Sequence, residues 1–231
     1  MGRSILRGHA ILAATRDSLP SHVGSSLRCV SCHLGDGRQS TALPLTGVYA
    51  RFPQYRSRAA IVQRIEDRVN DCFVRSLNGT ALSYDESAMR DIVTYLAFIS
   101  RGTSVGEPAA AAITGPVTGD TTAGGRVFQL QCARCHGADG AGMGLFPPVW
   151  GPKSFNIGAG MARLRTASAF VRQNMPQDRP GTLDELDALN VAAYITSRSR
   201  PDLLGKERDW PHGDAPPDVP YVTTAARHPP Q

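Results

Sequence analysis

The chain has 231 residues, a formal charge of +5 and 41% hydrophobic residues, enough for one large globular domain or two small ones. It contains no run of the roughly 18 apolar residues a transmembrane helix needs, so no membrane span is expected. The basic residues are almost all arginine, with only Lys153 and Lys206 as lysines; a GC-rich genome accounts for that bias, and no nucleic-acid binding is read from the charge.

In chain order, residues 9–19 have helical character, and residues 29–33 then read Cys-Val-Ser-Cys-His. The same C-x-x-C-H pattern returns as Cys132-Ala133-Arg134-Cys135-His136, 103 residues later. It is the attachment site of c-type haem: two thiols form thioethers and the following histidine ligates the iron. Two zinc knuckles of one site would lie much closer together and need no histidine after each pair. Two covalently bound haem c groups per chain are therefore expected, on Cys29, Cys32, His33 and on Cys132, Cys135, His136. With four of five cysteines so committed, no disulfide is expected. Haem attachment of this kind belongs to the periplasm, although no export signal is evident near the N-terminus: the apolar run Ile11 to Ala14 is too short and Asp17 follows it.

A helix is predicted from about Ala59 to Leu77, with Ile61, Ile65, Val69, Phe73 and Leu77 recurring every four residues. Another should start at a capping box, Ser83 to Glu86, and run to about Ser100. Residues 102–124 read as a Gly/Ala/Pro-rich linker. A last helix should begin at the capping box Thr182 to Glu185, with Leu186, Leu189, Ala193 and Tyr194 on it. Cys29 to Tyr95 spans 66 residues and Cys132 to Tyr194 spans 62, which points to a tandem repeat. The expected fold is mainly α: two tandem class I-type cytochrome c domains, residues 1–101 and 125–200, joined by the linker and followed by a Pro-rich tail, 201–231, lying extended over the surface.

What fills the sixth position of each iron decides its role. In the second half Met175, 39 residues after His136, in a loop and followed by Pro176, is the candidate metal ligand, with Met143 and Met161 as rivals. In the first half no methionine occupies that place, but Cys72 lies 39 residues after His33. It could be a buried free thiol; the shared interval and the odd thiol favour ligation. Arg68, Cys72 and Ser76 fall at i, i+4 and i+8 of the predicted helix. Arg75 is beside them and Arg58 a little upstream. Arg51, Arg56 and Arg64 fit the plainer roles of binding haem propionates or facing solvent.

These residues lie in strings that resemble a known family, the dihaem thiosulfate dehydrogenases that form tetrathionate, relatives of the SoxA-type cytochromes. The strings are Phe52-Pro53-Gln54-Tyr55-Arg56, Glu66 to Phe73, Arg75-Ser76-Leu77-Asn78-Gly79, Phe146 to Pro152, Ser154-Phe155-Asn156 and Gly158 to Leu164. The resemblance implies His/Cys ligation at a catalytic first haem, with Arg58, Arg68 and Ser76 holding substrate. It implies a second haem that passes electrons to an acceptor cytochrome or similar redox protein. It also implies that Cys72 leaves the iron and bonds the sulfane sulfur of thiosulfate, and that tetrathionate reduction is open to the same site. Some members carry a lysine just before the second-haem methionine; Asn174 stands there in this chain, so a lysine-to-methionine switch is not expected. Two other functions compete. A dihaem electron-transfer cytochrome would need neither Cys72 nor the arginines, and a SoxA-like carrier subunit would need a second cytochrome chain to act.

Overall fold

The computed structural model describes residues 1–103 and 118–227. Most of the expected linker lies outside these residues, and its last four residues, from Thr121, already belong to a helix, Thr121–Val127.

The first half opens with helix α1, Gly2–Ala13, and the short α2, Thr15–Ser18, so the N-terminal helix starts earlier than residue 9. The predicted helix over 59–77 is only partly formed. Its first part is a strand, β2 (Ile61–Gln63), paired antiparallel with β1 (Gln54–Arg56) just upstream, Gln54 opposite Gln63 and Arg56 opposite Ile61. The β-branched Ile61 and Val62 favour strand, and Ile61 is 54% exposed rather than on a buried stripe. Helix α3 follows, Ile65–Asp71, and widens into a π-helical turn over Cys72–Ser76. Ile65, Phe73 and Leu77 are buried as expected. Helix α4 is Ser87–Ile99, with Glu86 at its N-cap position and no side-chain cap. The Ser83 hydroxyl instead accepts from the Asp85 N–H in the preceding turn, so the expected capping box does not form.

The second half repeats the plan. Helix α5, Thr121–Val127, runs into a second π-helical turn, Phe128–Cys132, and then α6, Ala133–His136. Helix α7, Leu164–Asn174, ends at Met175, and α8 is Glu185–Thr196. Its cap is Asp184, whose carboxylate accepts from the Asp187 N–H at 2.7 Å, in place of Thr182. Leu186 lies on the solvent side, 65% exposed. A single turn, α9 (Thr224–Arg227), closes the described chain.

In each half the first helix crosses the last, α1 on α4 and α5 on α8. The contact is made at a glycine. A Cβ on Gly8 would stand 2.1 Å from the Asp91 carbonyl oxygen and 2.8 Å from Tyr95 Cβ; one on Gly124 would stand 1.9 Å from the Asn190 carbonyl oxygen and 3.0 Å from Tyr194 Cβ. The tyrosines that mark the repeat in the sequence thus mark the same helix crossing in both halves.

The halves interlock. Phe155, Ala159 and Ala162, from the second half of the sequence, pack into the core of the first with Phe73, Leu77 and Met89. Asn156 ties that segment to the Cys72 helix, its amide donating to the Val74 carbonyl at 2.8 Å and its backbone N–H to the Arg75 carbonyl at 3.1 Å. The tail is not merely extended. Residues 206–208 form a helical turn, and Trp210 is 3% exposed.

Candidate active site and haem attachment sites

Cys29 begins a tight turn, Cys29–Ser31, and is held by buried Thr15. The Thr15 hydroxyl accepts from the Cys29 N–H at 3.0 Å and donates to its sulfur at 3.3 Å. The His33 ring donates through Nδ1 to the Leu43 carbonyl at 2.5 Å. His136 does the same to the Pro147 carbonyl at 2.8 Å. A histidine whose Nδ1 carries the proton presents a bare Nε2, the form that ligates a metal. Burial also lowers the pKa of His136.

Cys72 sits where α3 widens into its π-turn, a feature that often marks functional positions. Arg68, one α-turn earlier, donates to its sulfur at 3.0 Å. Burial alone would raise the Cys72 pKa, but the Arg68 charge and the neighbouring His33 bring it down to about 7. Burial pushes Cys29 up to about 11 and Cys32 to about 12, with Cys72 among the neighbours that raise both. Cys29, Cys32, His33, Arg68 and Cys72 therefore meet in one place. Ser76 is half-buried at the far end of the π-turn, so it follows Cys72 across the wider turn and not on a regular α-helical stripe. Arg64 faces solvent over the Tyr84 ring.

Arg58 lies in the tip of the β1–β2 hairpin and is drawn to the tail. Its Nη1 donates to the Gly158 carbonyl at 2.8 Å, and its guanidinium lies 4.5 Å from the Trp210 ring centre. Asp209 forms a two-pronged pair with Arg75, at 2.7 and 2.8 Å, with Arg58 Nε 4.0 Å away. Tyr221 donates to the same carboxylate at 2.6 Å. Sequence reasoning missed Asp209, Trp210 and Tyr221. The available signal was a tryptophan in a polar, proline-rich tail, a residue type that seldom stays in solvent.

In the second half Met175 packs with Phe128, Val171, Cys132, Ala133 and Trp150. Met175 and Met161 both pack against the Leu34, Ala42 and Phe170 cluster, but Met161 otherwise packs against the first core. Met143 is 54% exposed. Asn174, fully buried, donates to the Thr41 and Phe170 carbonyls at 2.9 and 3.0 Å and accepts from Gln39 and Thr41 side chains, both at 2.8 Å.

The residues fit haem. Both pairs of thiols are free, both histidines offer Nε2, and Arg200 leaves Nε and Nη1 buried without a hydrogen-bond partner, donors of the kind a haem carboxylate satisfies. Arg200 lies over the Phe155 ring and donates to the Ile195 carbonyl.

Comparison with known proteins places the two halves separately. The SoxA/TsdA cytochrome c domain matches residues 22–105, and the family described as cytochrome C oxidase, cbb3-type, subunit III matches residues 119–195. The fold is thus two cytochrome c domains in tandem, which implies haem c as cofactor. The chain is 37% identical over 228 residues to a thiosulfate dehydrogenase of Psychrobacter arcticus, covering 94% of this chain and 70% of the relative. It is 40% identical over 215 residues to that of Allochromatium vinosum, covering 87% and 80%. The solved thiosulfate dehydrogenase TsdBA of Marichromatium purpuratum, in its as-isolated form, matches with a TM-score of 0.81 at 31% identity over 87% of this chain. This chain spans less than half, 46%, of that solved one.

Proposed function

The chain belongs to the thiosulfate dehydrogenase family, and from that premise we propose that it joins two thiosulfates into tetrathionate at the Cys72 site. The observation that carries the reading is the Arg68 guanidinium 3.0 Å from the Cys72 sulfur, with His33 beside it. A thiol brought down to about 7 by a fixed cation is a nucleophile at neutral pH and a ready metal ligand.

The balance is two thiosulfate dianions to one tetrathionate dianion with two electrons released and no proton exchanged. Bound haem c, one group on Cys29, Cys32 and His33 and one on Cys132, Cys135 and His136, supplies the one-electron acceptors. Cys72 and His33 are the proposed ligands at the first site, His136 and Met175 at the second. Cys72 bonds the sulfane sulfur of one thiosulfate as two electrons depart. A second thiosulfate then attacks that sulfur through its own terminal sulfur, the new S–S bond forms, and the Cys72 thiolate leaves. Reversal of these steps reduces tetrathionate.

Two dianions about 8 Å apart repel by about 8 kcal/mol at an effective dielectric of 20. Arg58 and Arg68 offset that repulsion, their planar forks matching the sulfonate-like oxygens, and Ser76 adds a hydroxyl donor. Cys72 keeps Arg68 charged, raising its pKa. The electrons pass to an acceptor cytochrome or similar redox protein in the periplasm; none of the helices among the described residues is long and apolar enough to cross a membrane.

A steady-state assay of the purified holoprotein with thiosulfate and an artificial electron acceptor tests the proposal. Tetrathionate should appear at half the rate of thiosulfate loss. No turnover by the protein alone would leave a carrier or electron-transfer role.

A further inference from the structure

The proposed substrate residue Arg58 is in the tip of a two-stranded hairpin whose exposed residues include Tyr55, Ile61 and Val62. A long arginine on such a tip has many rotamers to choose from, and fixing one costs entropy. Here the guanidinium is held on several sides by groups from outside the hairpin. The Gly158 carbonyl accepts from Nη1, the Trp210 ring lies 4.5 Å from the guanidinium carbon, and Asp209 stands 4.0 Å from Nε. The hairpin backbone is tied to the same segment, the Trp210 N–H donating to the Arg58 carbonyl at 2.8 Å. Asp209 also anchors this segment to the Cys72 helix through Arg75, which is three residues after Cys72.

Trp210 adopts φ +51, a conformation bulky residues rarely take unless the surroundings impose it. Its ring is buried and faces Tyr221 with ring centres 6.4 Å apart. The strap from Asp209 to Tyr221 therefore closes on Arg58 and Arg75 with one carboxylate, one phenol and one indole face.

We infer that Trp210, carried on the C-terminal strap, is a positioning residue that holds the Arg58 guanidinium in its anion-binding orientation. The inference rests on the reading of Arg58 as a substrate residue. The indole face attracts the cation without consuming its hydrogen-bond donors, whereas a carboxylate alone would compete with the incoming dianion. Asp209 is directed chiefly to Arg75, which leaves Arg58 with an aromatic floor and donors to spare.

The test compares Trp210→Leu with Trp210→Phe in the full-length holoprotein, measuring haem content, the absorption spectrum, and KM and kcat for thiosulfate. Trp210→Leu should keep both haems and the spectrum, raise KM roughly tenfold, about 1.4 kcal/mol, within the range of a desolvated cation–π contact, and change kcat far less. Trp210→Phe, which keeps an aromatic face, should recover most of the KM. Equal KM values in the two variants, or no change in either, overturn the inference. Arg58→Ala separates this failure from failure of the underlying reading. If Arg58→Ala raises KM and Trp210→Leu does not, the strap is structural only; if Arg58→Ala leaves KM unchanged, the substrate role of Arg58 falls, and the inference with it. Should Trp210→Leu lose haem, Trp210→Met takes its place, and a KM matching that of Trp210→Phe then counts against the inference.

Discussion

The Arg68 guanidinium and the Cys72 sulfur are 3.0 Å apart, spaced by one α-turn that ends where the helix widens. The regular part of α3 brings the cation under the thiol. We predict that Cys72→Gly abolishes thiosulfate oxidation, leaves both haems attached, and changes the spectrum of the first haem only. Arg68→Ala should keep the haem spectrum largely intact and lower kcat/KM by roughly 10- to 100-fold, the worth of a charge-assisted hydrogen bond. Near-normal turnover in Cys72→Gly would make the cysteine a packing residue.

The helix crossing in the second half should be intolerant of one methyl group. A Cβ on Gly124 would meet the Asn190 carbonyl oxygen at 1.9 Å, so α5 and α8 must separate, at about 1–3 kcal/mol. Alanine's better helix propensity returns about 1 kcal/mol. Gly124→Ala is therefore expected to lower the unfolding midpoint of the holoprotein, and Gly8→Ala to do the same in the first half. A raised midpoint in either variant would contradict the packing argument.

The helical fold and the Cys72 constellation were legible because both rest on local spacing: the haem motifs, the 39-residue interval, and an arginine four positions before the cysteine. The second strand of the hairpin falls inside the predicted helix because Ile61 and Ile65 mimic a helical stripe; only burial distinguishes them, and Ile61 is exposed. Both predicted capping boxes failed for a related reason. A hydroxyl followed three residues later by a glutamate specifies a cap only when the intervening turn is helical, and at Ser83 the chain still turns before α4 begins. Contacts between distant segments, such as Asp209 with Arg75 or Asn156 with Val74, leave no periodic trace in the sequence.

Asn174 offers a test of the joint between the halves. Its amide is saturated by Thr41, Gln39 and the Phe170 carbonyl, and at about 1 kcal/mol per hydrogen bond Asn174→Ala should cost about 2–4 kcal/mol. Asn174→Lys, the residue some family members carry here, should cost more, because an ammonium would be buried among groups arranged for an amide. Thermal unfolding followed at the haem band is the measurement, and a lysine variant as stable as the alanine one would show that the joint has room for a charge.

Met175 is expected to set the potential of the second haem. It shares a cluster with Cys132 and Ala133 of the second motif, whereas Met161 packs into the first core and Met143 is largely exposed. Thioether ligation favours reduced iron and raises the potential, while thiolate ligation favours the oxidised form. The second haem should therefore lie higher than the first, which makes it the collecting point for electrons leaving Cys72. Redox titration of Met175→Gly should lower the higher of the two potentials and leave the lower one nearly unchanged. Met161→Leu, by contrast, should move neither potential appreciably, since Met161 contributes packing to the first domain. If Met175→Gly left both potentials as they were and Met161→Leu did not, the ligand assignment would pass to Met161.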